Sequence, residues 1–317
     1  MSAAGSPRPV GRLAPSPTGR LHLGHARSFL LAWWHARSRG GGIVLRIEDL
    51  DTTRVRPGMV ESTLEDLSWL GLDWDGEPLL QSSDTRALEA ACERVLARGD
   101  AYACVCTRSE IQALSAPHAG ESEPRYPGTC RGVFASVEDA RQRSGREPAL
   151  RLRIPDGAIE IVDGLCGPMS FHVAREVGDI VLRRRDGAFA YQLAVVVDDA
   201  RQGVNEVVRG DDLLPSAARQ WHVQAALGLP HPRWWHVPCV VDEHGQRLAK
   251  RRDSISLSGL RAEGVDPRAI VAWAARSLGM ECSARAAPPE LLTRFKLERT
   301  PRAPCRFGPA ELGALRD

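Results

Sequence analysis

The sequence lacks any long apolar segment, and this excludes a membrane-spanning helix. Its apolar runs, such as residues 29–34, are far shorter than the roughly 20 residues that such a helix requires. Residues 1–9 contain no apolar stretch of the kind that a secretory signal needs. We therefore expect a soluble, cytoplasmic protein without a membrane partner, in which residues 1–9 form a flexible tail.

Acidic side chains are absent from residues 1–47, which contain seven arginines. The net charge of the whole chain is only +2, so positive charge is concentrated at this end. An uncompensated basic segment predicts a bound anion nearby, whereas the simpler interpretation is a solvated basic surface. Charge alone leaves both interpretations open.

The chain contains eight cysteines, and a cytoplasmic location keeps thiols reduced. Clustered cysteines then indicate a metal site more than a disulfide. Three isolated cysteines, Cys92, Cys239 and Cys282, are expected to serve only in packing.

Hydrophobic periodicity predicts alternating strands and helices in the first hundred residues. The predicted elements are a strand at 10–14, a helix at 24–39, a strand at 43–47 and helices at 58–70 and 84–98. The alternation resumes later with a strand at 191–197, a helix at 214–227 and a strand at 236–241. Such alternation is typical of an α/β fold with a doubly wound, Rossmann-type parallel sheet.

The region between these two stretches has a different pattern. Loop signals, clustered cysteines and short strand-like runs such as 149–154 predict a module inserted between two halves of the sheet domain. The predicted parts are a first half at 10–100, an inserted module at 101–185, a second half at 186–245 and a short helical C-terminal region at 246–317. Weak patterning of residues 282–317 favours partial disorder there.

A strand, a glycine-containing loop and a helix follow one another between residues 10 and 39. This order places free backbone N–H groups and the positive end of a helix at one point, which favours phosphate binding. His22 and His25 are three residues apart at the helix start, so both imidazoles can donate to phosphate oxygens. Two other interpretations are that His22 and His25 are loop histidines without a functional role, or that they bind a metal. Against a metal, no carboxylate or thiol follows at the spacing typical of zinc ligands.

Residues 12–25 read Arg-Leu-Ala-Pro-Ser-Pro-Thr-Gly-Arg-Leu-His-Leu-Gly-His. This segment resembles the first signature of the class I glutamyl-tRNA synthetases, His-x-Gly-His. The resemblance continues in order through the segments 46–51, 191–199 and 208–214, within residues 11–280. It implies ATP-dependent activation of glutamate, with Mg²⁺ accompanying ATP. It also implies that the ATP-binding residues include His22, Gly24 and His25, and that the two histidines are catalytic.

The second signature of this family is a lysine-containing loop of the Lys-Met-Ser-Lys-Ser type, and here residues 247–251 read Arg-Leu-Ala-Lys-Arg. Arg247 replaces the first lysine and Ala249 the serine, so only Lys250 is kept. Lysine is scarce, because Lys250 and Lys296 are the two lysines among 42 basic residues, and a lysine here therefore indicates a specific need. The resemblance implies that Lys250 is catalytic and binds ATP, stabilising the departing pyrophosphate. The alternative is an ordinary surface lysine in a basic run.

A pocket for glutamate must hold two carboxylates and one ammonium group, which requires arginines, an acid and neutral donors. The resemblance implies that the glutamate-binding residues are Arg12, Ser16, Glu48, Tyr191 and Arg209. Each also has a structural interpretation: an ion pair for either arginine, a loop cap for Glu48 and a core aromatic for Tyr191.

A third motif consists of Cys104 and Cys106, then Tyr126 and Cys130. Three thiols at this spacing can converge on one tetrahedral ion, for which zinc is the expected guest. The resemblance implies one structural zinc with Tyr126 as the fourth ligand. Tyrosine is a rare zinc ligand, and His118 in the intervening loop is an alternative, as is a reduced cluster without metal.

Only 67 residues follow Lys250, too few for the large helical region with which full-length glutamyl-tRNA synthetases read the anticodon. In this the chain resembles a family of short relatives, the glutamyl-queuosine tRNA(Asp) synthetases. Val195, at a position where full-length enzymes often carry asparagine, agrees with that branch. The expected partners are ATP, L-glutamate and queuosine-containing tRNA(Asp), with a monomeric protein. Two alternatives are a truncated enzyme charging tRNA(Glu) and a non-catalytic tRNA-binding relative.

Overall fold

The computed structural model describes residues 8–114, 124–248 and 255–317. Two predicted site residues, Lys250 and His118, lie outside these ranges. No helix in the described part of the chain is long and apolar enough to cross a membrane.

Strands and helices alternate in the first hundred residues, as periodicity predicts. They are β1 (Val10–Leu13), α1 (Leu23–Arg37), β2 (Gly42–Ile47), α2 (Met59–Trp69), β3 (Leu79–Leu80) and α3 (Arg86–Ala97). The predicted bounds of β1, β2 and the three helices differ from the observed ones by at most two residues at each end, whereas β3 was not predicted.

The middle of the chain forms shorter elements. They are β4 (Ala101–Cys104), α4 (Arg108–Leu114), α5 (Val137–Ser144), β5 (Ala149–Leu152), β6 (Ile159–Asp163), β7 (Gly167–Phe171), α6 (Val173–Glu176) and β8 (Ile180–Arg183). The strands pair antiparallel, in the order β4-β5-β8 and as a β6-β7 hairpin. This pairing fits an inserted module, whose boundaries stay a prediction.

The last part of the chain returns to alternation and then becomes mostly helical. Its elements are α7 (Tyr191–Arg201), β9 (Glu206–Gly210), α8 (Leu214–Leu227), β10 (Arg233–Val237), β11 (Val240–Val241), α9 (Leu257–Ala262), α10 (Pro267–Arg276), β12 (Cys305–Arg306) and α11 (Pro309–Arg316). The predicted helix at 214–227 is confirmed. The predicted strand at 236–241 is wrong as one element, because Pro238 separates β10 from β11.

Two sets of parallel strands meet at the centre of the fold. One set is β1-β2-β3 and the other is β9-β10. Backbone N–H of Asn205 donates to the Val10 carbonyl (3.1 Å), and Val10 N–H donates to Asn205 Oδ1 (2.8 Å). This contact places β9 beside β1, so the two halves of the chain form one parallel layer. The predicted α/β class with a parallel sheet is confirmed.

Helix α1 is the central packing element of the first half. Leu23, Leu30, Leu31 and Trp34 on this helix are fully buried in the largest apolar cluster. Burial of each such side chain stabilises the fold by about 1.5–3 kcal/mol. The helix is thus held firmly, and its N-terminal end is fixed beside the ends of β1 and β9.

The predicted strand at 191–197 is wrong, because these residues open helix α7. The valines of this segment favoured a strand by composition. However, residues 192–199 are all buried, and a helix that is buried on every side shows no hydrophobic periodicity that would distinguish it from a strand. Two aspartates near the helix end are paired inside the protein: Gln81 Nε2 donates to Asp198 Oδ2 (2.7 Å) and Arg46 Nη1 to Asp199 Oδ1 (2.8 Å).

The prediction of partial disorder at 282–317 is also wrong. Strand β12 in this segment pairs in parallel with β11. Its large apolar residues are buried in the main core, namely Leu291, Phe295, Leu297, Phe307 and Leu315. These apolar residues are spaced irregularly because short 3₁₀ turns replace long helices, so no regular period marks them.

Candidate functional site

A cavity of about 480 Å³ opens at the carboxyl end of the parallel strands. This is the edge at which open parallel sheets bind ligands. The cavity wall contains eight of the predicted ATP- and glutamate-binding residues: Arg12, Ser16, His22, Gly24, His25, Glu48, Tyr191 and Arg209. Side chains separated by almost 200 residues in sequence therefore converge on one volume.

The two histidines are held at the first turn of α1 by backbone hydrogen bonds. His22 is the N-cap residue, and Gly24 N–H donates to its Nδ1 (3.1 Å). His22 N–H donates to His25 Nδ1 (3.3 Å), and the two rings stack with centroids 3.7 Å apart. Because each Nδ1 accepts a hydrogen bond, the neutral rings carry their proton on Nε2. His22 Nε2 is buried and has no partner among the described residues.

Both histidines are uncharged at neutral pH. Burial lowers the pKa of His22 to about 4, and burial together with the charge of His22 lowers the pKa of His25 to about 3. His25 has substantial solvent-accessible area, but it lies in a concave wall where surrounding protein atoms displace water. The pair can therefore offer neutral N–H donors to a ligand, whereas positive charge at this site would have to come from other residues.

Glu48 belongs to a buried charge network that the sequence did not reveal. Arg46 is fully buried and contacts Asp199 Oδ1 (2.8 Å) and Glu48 Oε1 (3.2 Å). Arg12 Nε lies 3.4 Å from the same Asp199 oxygen, and Arg12 Nη1 donates to the Val208 carbonyl (3.3 Å). Burial raises the pKa of Glu48, although Arg46 and Arg12 oppose the increase. Burial thus disfavours the charged form of Glu48, and a ligand cation beside it would favour that form.

Ser16 and Tyr191 line the cavity on either side of Glu48. Ser16 Oγ donates weakly to Glu48 Oε2 (3.4 Å). Tyr191 is 39% exposed, yet its position in the cavity wall and the nearby Glu48 charge raise its pKa. The phenol remains protonated and can donate a hydrogen bond.

Arg209 is a buried cation with an unused donor. Its Nε donates to His236 Nε2 (3.0 Å) and its Nη1 to Gln220 Oε1 (2.9 Å). Its Nη2 is buried and has no partner among the described residues. Burial, with a contribution from Arg12, lowers the pKa of Arg209. A carboxylate in the cavity would satisfy both the charge and the free donor.

The segments that flank Lys250 both reach this cavity. Arg247 and Leu248 line it, and Arg247 Nη1 forms an ion pair with Asp212 Oδ2. On the other side, Ser256 forms an antiparallel bridge with His22, and the next residue, Leu257, donates its N–H to the Leu21 carbonyl (2.8 Å). The sequence did not predict these anchors.

A larger cavity of about 1190 Å³ adjoins the first. The two share Ser16, Thr18, Glu48 and Tyr191 in their walls. The larger cavity lies between the sheet and the antiparallel region, and five arginines line it: Arg54, Arg108, Arg151, Arg184 and Arg185. Four acidic residues share this wall, namely Glu48, Asp51, Glu147 and Asp186, so its excess of positive charge is one.

The predicted zinc ligands also converge. The sulfurs of Cys104, Cys106 and Cys130 all lie within 4.8 Å of one another. The Tyr126 hydroxyl lies 3.3 Å from Cys104 Sγ and 4.0 Å from Cys106 Sγ. It also accepts a hydrogen bond from Cys130 N–H (2.9 Å), and the Arg151 guanidinium lies 3.9 Å from the ring centre. Burial and the neighbouring Cys104 raise the pKa of Tyr126, so the phenol is protonated until a cation binds beside it. The three sulfurs and the phenol oxygen lie close enough together to surround one tetrahedral ion.

Comparison with known proteins places the chain in a family. Residues 10–300 match the family described as tRNA synthetases class I (E and Q), catalytic domain. Proteins named Glutamyl-Q tRNA(Asp) synthetase match over nearly their whole length. The one from Symbiobacterium thermophilum is 44% identical, with 96% of this chain and 98% of the relative aligned. The one from Nocardia farcinica is 48% identical, with 93% and 92% aligned.

A solved structure agrees with this result. The glutamate tRNA ligase from Elizabethkingia meningosepticum, in complex with its amino acid, superimposes with a TM-score of 0.82 at 26% identity. The match covers 96% of this chain and 68% of that protein. The fold and the cavity define a class I tRNA synthetase catalytic domain. The chain belongs to the glutamate and glutamine family of that class, on the branch of the proteins named Glutamyl-Q tRNA(Asp) synthetase.

Proposed function

We propose that this chain is a ligase that activates L-glutamate with ATP, without tRNA, and transfers it to the queuosine wobble base of tRNA(Asp). One observation carries the proposal: a single 480 Å³ cavity joins the start of helix α1, where His22 Nε2 lacks a partner, to a pocket that contains Glu48 and the unused Nη2 donor of Arg209. The acceptor follows from the relatives, which are named Glutamyl-Q tRNA(Asp) synthetase.

The ATP phosphates bind at the start of α1. His22 Nε2 is a buried donor in need of an acceptor, and the absence of a side chain on Gly24 leaves room for the His22 ring. The positive end of the helix attracts the anion. Lys250 completes this site, because the chain on either side of it is anchored at the cavity, at Leu248 and at Ser256. Mg²⁺ accompanies ATP and neutralises its phosphates.

Glutamate binds between the two halves of the cavity. Arg209 and Arg12 attract its carboxylates, and the free Nη2 of Arg209 donates to one of them. Glu48 pairs with its ammonium group, which restores the ionised state that burial disfavours. Ser16 and Tyr191 supply neutral hydrogen bonds.

The reaction requires positioning and charge stabilisation more than proton transfer. The α-carboxylate of glutamate attacks the α-phosphate of ATP, forming glutamyl-adenylate and releasing pyrophosphate. His22, His25 and Lys250 stabilise the phosphate charge. A hydroxyl of the queuosine cyclopentenediol then attacks the activated carbonyl, and AMP leaves. No side chain is assigned as a general base.

The 1190 Å³ cavity receives the acceptor nucleotide. It shares its wall with the glutamate pocket at Glu48 and Tyr191, so a base held there faces the activated carbonyl. Its arginines contact the backbone phosphates of the anticodon arm, and binding is therefore sensitive to salt.

The cysteine site has a structural role in this scheme. Cys104, Cys106, Tyr126 and Cys130 would hold one Zn²⁺, which would cross-link the inserted module of residues 101–185. The sheet domain itself comprises residues 10–100 and 186–245, and residues 246–317 comprise the Lys250 loop and a short helical region.

Exchange of labelled pyrophosphate into ATP, with glutamate and without tRNA, tests the activation step. The chain has two lysines, which provide a matched pair of variants. We expect exchange by the unmodified protein, a loss of about 100-fold in Lys250→Ala, and normal exchange in the exposed Lys296→Ala. No exchange by the unmodified protein would contradict activation without tRNA. Equal exchange by the two variants would remove the role of Lys250.

A further inference from the structure

We propose that Asp163 and His236 are positioning residues for Arg209: they fix its guanidinium so that Nη2 faces the bound substrate. The proposal rests on the proposed role of Arg209 in binding glutamate. Neither Asp163 nor His236 lines the cavity, so both act through Arg209.

Asp163 is a buried carboxylate whose two oxygens share the backbone N–H of His236, which lies 3.3 Å from Oδ1 and 3.1 Å from Oδ2. Oδ1 accepts from the backbone N–H groups of Leu165 (2.9 Å) and Cys166 (2.8 Å). Oδ2 lies 2.7 Å from His236 Nδ1 and accepts from His236 N–H (3.1 Å). Three backbone donors and one ring donor keep this carboxylate ionised, and the second oxygen is fully used by His236.

The contact with Asp163 fixes the tautomer of His236. His236 has no exposed surface, and its Nδ1 must carry a proton in order to donate to the carboxylate. Its Nε2 then has a lone pair, which accepts from Arg209 Nε (3.0 Å). With Nη1 held by Gln220, the guanidinium plane is fixed and only Nη2 is left for a ligand.

The turn that contains Asp163 is pressed against the sheet. Gly164 N–H donates to the Trp234 carbonyl (2.8 Å), and a Cβ on Gly164 would lie 2.3 Å from the Trp235 ring. The carboxylate at the end of β6 is thereby held beside β10. A hairpin of the predicted inserted module thus determines the orientation of an arginine in the proposed glutamate site.

Two substitutions of His236 separate the two hydrogen bonds. His236→Gln places an amide oxygen near the Nε2 position and can still accept from Arg209. His236→Asn places an amide N–H near the Nδ1 position and keeps the bond to Asp163 alone. We expect His236→Asn to raise the KM for glutamate about tenfold in pyrophosphate exchange, with the KM for ATP unchanged, and His236→Gln to stay near the unmodified value. Equal effects of the two variants would overturn the proposal.

Asp163→Asn tests the tautomer directly. Its amide donor faces His236 Nδ1 and favours a proton on Nε2, which then opposes the Arg209 Nε–H. We expect a rise of about tenfold in the KM for glutamate, and a much smaller rise when Asp163→Asn is added to His236→Gln. A purely structural role for Asp163 gives the same rise in both backgrounds and would overturn the proposal. If the unmodified protein shows no exchange, the proposed function fails instead.

Discussion

The two histidines at the start of α1 depend on the glycine between them. A Cβ on Gly24 would lie 2.9 Å from His22 Cε1 and 3.0 Å from its Nδ1. Gly24 N–H also supplies the hydrogen bond that keeps the proton of His22 on Nε2. Glycine is therefore required at position 24, because a larger residue would collide with the His22 ring.

Gly24→Ala should separate activity from stability. The added methyl group displaces the His22 ring, so we expect pyrophosphate exchange to fall about 10- to 100-fold. Alanine is the better helix former by about 0.5–1 kcal/mol, so the midpoint of thermal unfolding should not fall. Gly313→Ala in α11 is the matched control, since nothing lies within 4 Å of its added Cβ. Normal exchange in Gly24→Ala would contradict the role assigned to His22.

At the scale of single residues, the sequence identified residues of the site but not the residues with which they form ion pairs. His22, Glu48 and Arg209 were recognised within motifs, whereas the ion pair between Arg46 and Asp199 joins residues 153 positions apart. No local pattern reports such a distant pair, because it depends on how strand β2 and helix α7 meet in the folded chain. The unused Nη2 of Arg209 could be found only from its surroundings.

Helix α7 illustrates the limit of pattern reading for whole elements. Amphipathic helices such as α3 were predicted because their apolar stripe has a period of 3.6 residues. In α7 every residue from Gln192 to Asp199 is buried, so that stripe disappears. The parallel sheet was predictable because its strands are short, apolar and separated by helices.

The cysteine cluster gives a prediction about the antiparallel region. Purified protein should contain one zinc per chain, and Cys130→Ala should lose it because three ligands hold the ion weakly. Tyr126→Phe should lower zinc content as well, since the hydroxyl is removed without changing the ring. Cys92→Ala is the control, because this buried cysteine lies on α3 outside the cluster. Unchanged zinc in both test variants, measured by elemental analysis, would contradict the proposed ligand set.

At the scale of the whole molecule, the fold brings two charge environments together. Neutral donors at the start of α1 meet a buried network of arginines and acids at the ends of β1, β2 and β9. The adjoining larger cavity opens toward the antiparallel region and its arginines. Sequence predicted His22, His25 and Glu48, but not the arginines of the larger cavity, and the wall that the two cavities share at Glu48 and Tyr191 is a property of the folded chain.

The central claim is that glutamate activated in the small cavity passes to a modified base in the large one. The direct measurement offers labelled glutamate and ATP to three RNAs: tRNA(Asp) with queuosine, tRNA(Asp) without it, and tRNA(Glu). We predict labelling of queuosine-containing tRNA(Asp) alone. The label should be attached to the modified base and not to the 3′ end of the tRNA. Labelling of tRNA(Glu) alone would contradict the account.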